Sequence, residues 1–148
     1  MAAAGLSPSN AEVLGDIVWL MAQSNLHQWW RLTDVERNVF GAMFNQRYRL
    51  YKDGEVPIGY VSIASVSPEI ECRMIYERYQ LQPADWVSGD LVWFIDYIVP
   101  NGRMLEVRKK LWRDPLLMGK QIKAFRPNKS GGGRQVVQFG KYRFRKLT

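Results

Sequence analysis

The chain contains one histidine, His27, and one cysteine, Cys72. These are the side chains best suited to exchange a proton, or to attack a carbonyl, near neutral pH. His27 closes the run Ser24-Asn25-Leu26-His27 and is followed by Trp29 and Trp30. A third candidate, Asp96, lies inside the apolar run Leu91–Val99. Alternation in an extended strand would put Trp93, Ile95, Tyr97 and Val99 on one face, and Val92, Phe94, Asp96 and Ile98 on the other. Asp96 is then expected to project from an apolar face, where an unpartnered charge costs several kcal/mol or forces the group to take up a proton. An arginine or backbone amides could satisfy it, which would make it structural. His27 could satisfy it instead, with the carboxylate fixing the imidazole tautomer and stabilising its protonated form, as in base constellations. His27 itself is open to two readings, a packing or capping residue beside the tryptophans or a general base. Cys72 falls in a helical stretch with no histidine near it in sequence, which is a poor setting for a thiol nucleophile. Asn25 and Asn38 are of a type that usually forms turns and caps.

The elements around these residues follow from periodicity. Ser9 and Glu12 stand at capping-box spacing, and Val13, Leu14, Ile17, Val18, Leu20 and Met21 form a wide apolar face, which predicts a helix from about Asn10 to Ala22. Thr33 and Glu36 repeat that spacing ahead of Val35, Val39, Ala42 and Met43, predicting a second helix from about Asp34 to Asn45. His27 therefore falls in the link between two helices. Gln46–Lys52, the turn Asp53-Gly54 and the β-branched run Ile58–Val66 read as a hairpin. Helical spacing returns between Pro68 and Tyr79, a structured loop covers residues 82–89, and Leu91–Val99 is the most buried strand. Pro100-Asn101-Gly102 ends it, Met104, Leu105, Leu111 and Trp112 mark a basic amphipathic helix, and Gln121–Arg126 and Gln135–Phe139 flank Gly131-Gly132-Gly133 as a last hairpin. The order ααββαβαββ implies a compact α/β or α+β layer fold, one domain over 1–148 without repeats or linker.

Composition narrows the function. At 148 residues and 47% apolar the chain can bury a real core. One cysteine cannot close an intramolecular disulfide, and one histidine beside it offers no zinc-ligand spacing, so a disulfide scaffold and a Cys/His metal site are excluded. The apolar runs are less than half of the roughly 20 residues a membrane span needs, and the N-terminus has no charged region ahead of an apolar one; both point to a cytoplasmic protein. The net charge of +7 is unevenly spread, with 7 basic and 12 acidic residues over 1–102 but 14 and 2 over 103–148. That basic third is either a solvated tail or the dock for an acidic partner.

Glu12-Val13-Leu14-Gly15-Asp16-Ile17-Val18-Trp19-Leu20, Ser24-Asn25-Leu26-His27, Pro57-Ile58-Gly59-Tyr60 and Asp85-Trp86-Val87-Ser88-Gly89-Asp90-Leu91-Val92-Trp93-Phe94-Ile95-Asp96 together resemble the toxin-activating lysine acyltransferases of the haemolysin-activating type. The likeness covers about residues 12–110 in consistent order. It implies a fold similar to the Gcn5-related N-acetyltransferases, a mixed central sheet flanked by helices. It also implies a cytoplasmic enzyme that takes a fatty acyl chain from acyl carrier protein and places it on internal lysines of an RTX protoxin, with no bound cofactor or metal. The family's catalytic histidine falls on His27 and its essential aspartate on Asp96. Asn38 matches a polar residue near the family's site, and Ser24 and Gly89 match further motif positions. The chain departs from the family at Asn101, where an aromatic is usual between the proline and the glycine, and in the short region after about Arg113.

Physical reasoning adds three expectations to this resemblance. Arg108, Lys109, Lys110 and Arg113 on one helix would steer an acidic carrier protein to the site. A lysine amine, with an ordinary pKa of about 10.4, needs a base before it can attack, and His27 is the available one. Backbone amides at Asn101-Gly102 could hold the oxyanion that follows. Two rivals are a nucleic-acid module, with Tyr142 or Phe144 stacking on bases, and a coenzyme A-dependent transferase. The carrier-protein reading expects no nucleic-acid partner and leaves a homodimer open.

Overall fold

The computed structural model describes residues 8–139 and 144–147. Helix α1 (Pro8–Ala22) buries Ile17, Leu20 and Met21 and turns Val18 outward. A second helical stretch follows as α2 (Leu32–Val35), a π-helical turn (Glu36–Phe40) and α3 (Gly41–Phe44). Its cap lies two residues earlier than the Thr33/Glu36 spacing suggests, because the carboxylate of Asp34 accepts the Arg31 amide at 2.8 Å. Strands β1 (Tyr48–Asp53) and β2 (Val56–Val66) form the expected hairpin, with Gly54 at φ +61° in its turn. Helix α4 (Pro68–Glu77), a 3₁₀ turn (Pro83–Trp86), β3 (Leu91–Ile98), α5 (Met104–Leu111), β4 (Ile122–Pro127) and β5 (Arg134–Phe139) complete the expected order. A sixth strand, β6 (Phe144–Leu147), was not evident from periodicity.

The six strands lie in sequence order across one mixed sheet. All neighbours are antiparallel except β3 and β4, which α5 connects in parallel. On one face α5 packs Val107 and Leu111 against Val61, Ile63, Val92 and Phe94. On the other, α1 to α3 close over Tyr60 and Ile98, while α4 and Trp86 close over Ala64, Val66 and Trp93. The fold is therefore mixed α/β, with helices on both faces of the sheet.

One expectation about β3 is overturned. Val92 and Phe94 pack on the α5 side, but so do Tyr97 and Val99, while Trp93, Ile95 and Ile98 pack on the opposite side. Strict alternation cannot give this pattern. The register supplies the reason: Val61 pairs with Tyr97 and Ile63 with Phe94, so Ser62 alone faces both Ile95 and Asp96. A β-bulge at Ile95–Asp96 shifts the pleat by one residue and re-aims the side chains that follow.

Candidate active site

The link after α1 folds as a tight turn, in which the His27 and Gln28 amides donate to the Ser24 carbonyl at 3.1 and 2.9 Å. Trp30 sets its ring edge-on to the imidazole at 4.8 Å between centroids. His27 is thereby held almost out of solvent, 9% exposed, over the bulge of β3. Its Nε2 lies 3.3 Å from Asp96 Oδ1, and its Nδ1 lies 2.7 Å from Ser24 Oγ. Asp96 is 8% exposed, and its Oδ2 has no hydrogen-bond partner among the described residues. An ionised carboxylate only accepts, so in the neutral imidazole Nε2–H donates to Asp96 and the Nδ1 lone pair receives the Ser24 hydroxyl. The three side chains form a continuous hydrogen-bonded line. It can move a proton at Nδ1 while the carboxylate stabilises the resulting cation. Beside it Tyr60, fully buried, has its pKa raised well above the usual phenol value, first by burial and then by the Asp96 charge.

The pair lies on a cleft. Parallel pairing of β3 with β4 covers only Val92–Phe94 against Ile122–Ala124, and past that point the two strands part from each other while β3 stays paired with β2 and β4 with β5. A cavity of about 730 Å³ occupies this gap, with His27 and Asp96 on one wall. Phe94, Tyr97, Leu111, Trp112, Phe125 and Phe139 make most of the rest apolar. Periodicity cannot reveal such a cleft, because its lining comes from five separate segments, the His27 turn, β3, α5, β4 and β5, and depends on where strand pairing stops. Met104 and Leu26 stand at the cleft, and Leu105, Trp29 and Leu32 are further exposed apolar side chains on the same two segments.

The remaining sequence candidates take different places. Arg108 lines the cleft, while Lys109 and Arg113 are exposed and Lys110 pairs with Glu106 at 3.6 Å. Asn101 is exposed at the start of the α5 loop, where its side-chain Nδ2 donates to Gln23 Oε1 at 3.2 Å and ties that loop to the end of α1 ahead of the His27 turn; Gly102 follows at φ +75°. Neither is among the residues lining the cleft. Asn38 is not brought to His27: its side chain donates to the Asp34 carbonyl at 2.7 Å and accepts from Gln80 at 2.6 Å, fastening the π-helical turn. Gly89 is a packing position, since a Cβ there would meet the Val66 carbonyl at 2.5 Å and Ser67 Cα at 2.6 Å. Cys72 is exposed on α4. Tyr142 and the side chain of Phe144 lie outside the described residues. Ser62, fully buried beneath Asp96, was missed; the signal is a hydroxyl in the apolar run Val61–Ala64.

Comparison with known proteins now bears on this geometry. A family model described as the RTX toxin acyltransferase family matches residues 7–141. The chain belongs to that family. Among curated relatives, a leukotoxin-activating lysine-acyltransferase of Pasteurella haemolytica-like sp. (strain 5943B) is 43% identical over 90 residues, 61% of this chain and 54% of that protein. An RTX-II toxin-activating lysine-acyltransferase of Actinobacillus pleuropneumoniae is 35% identical over 129 residues, 86% of this chain and 80% of that protein. A protein-lysine myristoyltransferase of Kingella kingae is 39% identical over 118 residues, covering 78% and 71%. Alignment with the first of these spans about half the relative's length. The match with the family model runs past Arg113, where the motifs read by eye give out.

Proposed function

We propose that this family member is a protein-lysine fatty acyltransferase that moves an acyl chain from acyl carrier protein to internal lysines of an RTX protoxin. The single observation that carries the mechanism is the line Ser24–His27–Asp96 beside an apolar cleft. The cleft suits an aliphatic chain, and its mouth is rimmed by Met104, Leu26 and the cation of Arg108. His27 takes a proton from the lysine ammonium, and the freed amine attacks the thioester carbonyl. The tetrahedral oxyanion collapses with cleavage of the carbon–sulfur bond, the imidazolium returns its proton to the departing thiolate, and the new amide nitrogen releases its second proton to water. Asp96 holds the imidazole and stabilises its charge in between. The sheet, with antiparallel strands followed by a parallel pair that parts beyond Phe94, supports the likeness to Gcn5-related N-acetyltransferases.

The 2.7 Å contact between Ser24 and Nδ1 favours a second reading, in which the Ser24 hydroxyl attacks first and an acyl-serine passes the chain to lysine. The test combines donor choice and trapping. The chain is mixed with an acyl carrier protein thioester or the matching coenzyme A thioester and with the RTX protein encoded beside its gene, and intact and peptide masses are read. Direct transfer predicts acylated lysine from the carrier donor with no acyl-enzyme, and residual activity in Ser24→Ala. The covalent route predicts an acyl mass on Ser24 in the absence of acceptor. Product from the coenzyme A donor alone, or none from either, would overturn the proposal.

A further inference from the structure

The bulge that re-aims Asp96 also creates a problem in the sheet. Where two residues of β3 face one residue of β2, a ladder hydrogen bond is lost, and a buried amide without a partner is strongly destabilising. The amide concerned is that of Asp96, and it does not go unpaired: it donates to Ser62 Oγ at 2.8 Å. Ser62 is 0% exposed and lies opposite the bulge, so a side-chain hydroxyl does the work that a backbone carbonyl does elsewhere in the ladder. From these observations we infer that Ser62 is a positioning residue for the His27–Asp96 pair, fixing the peptide from which the carboxylate projects.

Other restraints on Asp96 are few. Its Oδ2 has no hydrogen-bond partner among the described residues. The carboxylate is held at one oxygen by His27 and through its own backbone by Ser62. With that amide released, the bulge can relax toward regular alternation. Such a move would swing Asp96 away from Nε2, from which it stands 3.3 Å, without altering the cleft walls on α5, β4 and β5. Alanine would leave the amide orphaned, whereas threonine keeps the oxygen.

The inference rests on the His27–Asp96 base proposed above, and its test separates the two. Lysine acylation is followed for Ser62→Ala, Ser62→Thr, Asp96→Asn and His27→Ala. Nitrogen NMR shifts of the imidazole are recorded alongside, and are unambiguous because the chain has one histidine. Ser62→Ala should lose roughly 10- to 100-fold in kcat, the scale set by displacing a reacting group by an ångström, with the KM of donor and acceptor unchanged. Its imidazole shifts should move in the direction seen for Asp96→Asn, and Ser62→Thr should restore both. If Ser62→Ala does not fold, Ser62→Cys, similar in size but a weak acceptor, replaces it in the same measurements. A folded variant lacking the hydroxyl with wild-type kcat, or with reduced kcat but wild-type imidazole shifts, would overturn the inference. Turnover in His27→Ala would instead overturn the base reading, while the imidazole shifts of Ser62→Ala still report on the geometry.

Discussion

Asp96 presents one oxygen to His27 and buries the other with no hydrogen-bond partner among the described residues, an arrangement that favours chemistry over stability. Asp96→Asn keeps the shape. Its amide, however, can donate to Nε2, which would move the ring proton to Nδ1 and remove the acceptor that faces Ser24. The expected result is a loss of about 10²–10⁴-fold in acylation rate with a small change in melting temperature, checked by kinetics beside thermal denaturation. If the variant unfolds and activity follows the folded fraction, Asp96 is a structural carboxylate. Much of this site was legible from residue types. A lone histidine and a carboxylate in an apolar strand each demand a partner, and each turns out to be the other's. Ser62 was not legible, because its role depends on a bulge that residue types do not announce.

Among the elements, the order of helices and strands followed from periodicity because most segments bury one clear face, as α5 does with Val107 and Leu111. The register of β3 did not follow. The run Leu91–Ile98 is apolar on both sides and carries no alternation that would expose a slipped pleat. The loop before β3 shows how a motif position can serve the fold. The Gly89 amide donates to the Ser65 carbonyl at 3.1 Å, and Ser88 Oγ accepts from the Ser67 amide at 3.0 Å, docking the loop on the end of β2. Backbone atoms that cannot yield surround the missing Cβ of Gly89. Gly89→Ala should therefore cost about 1–3 kcal/mol, seen as a melting temperature lower by several degrees, with activity per folded molecule retained. Unchanged stability would show that the loop shifts freely.

Over the whole molecule, the excess of positive charge after residue 102 and the position of α5 beside the cleft support the acidic donor proposed above. Arg108 lines the cleft and Lys110 is paired, so the cleaner probe is Lys109→Glu with Arg113→Glu, both exposed. Together they should weaken use of the carrier-protein donor by about tenfold, with added salt mimicking the loss in the wild type; a small free thioester should be used as before. Equal losses for both donors would assign the helix to the fold or the chemistry. A second global property follows from the tyrosines. Burial, with the Asp114 carboxylate, pushes Tyr51 up to about 12, and burial also raises Tyr97 and Tyr60. Between pH 10 and 12 the folded chain keeps protons that the unfolded chain releases near 10.0, so stability falls as pH rises through that window. Denaturation midpoints measured against pH, with tyrosinate absorbance, should show this decline; a flat profile to pH 12 would contradict it.

The most direct test is the rate of lysine acylation by folded His27→Ala, measured by mass spectrometry with the carrier-protein donor and the RTX acceptor, alongside a thermal unfolding curve. The expected result is a cooperative unfolding transition near that of the wild type with acylation at background. Substantial turnover by the folded variant would contradict His27 as the base.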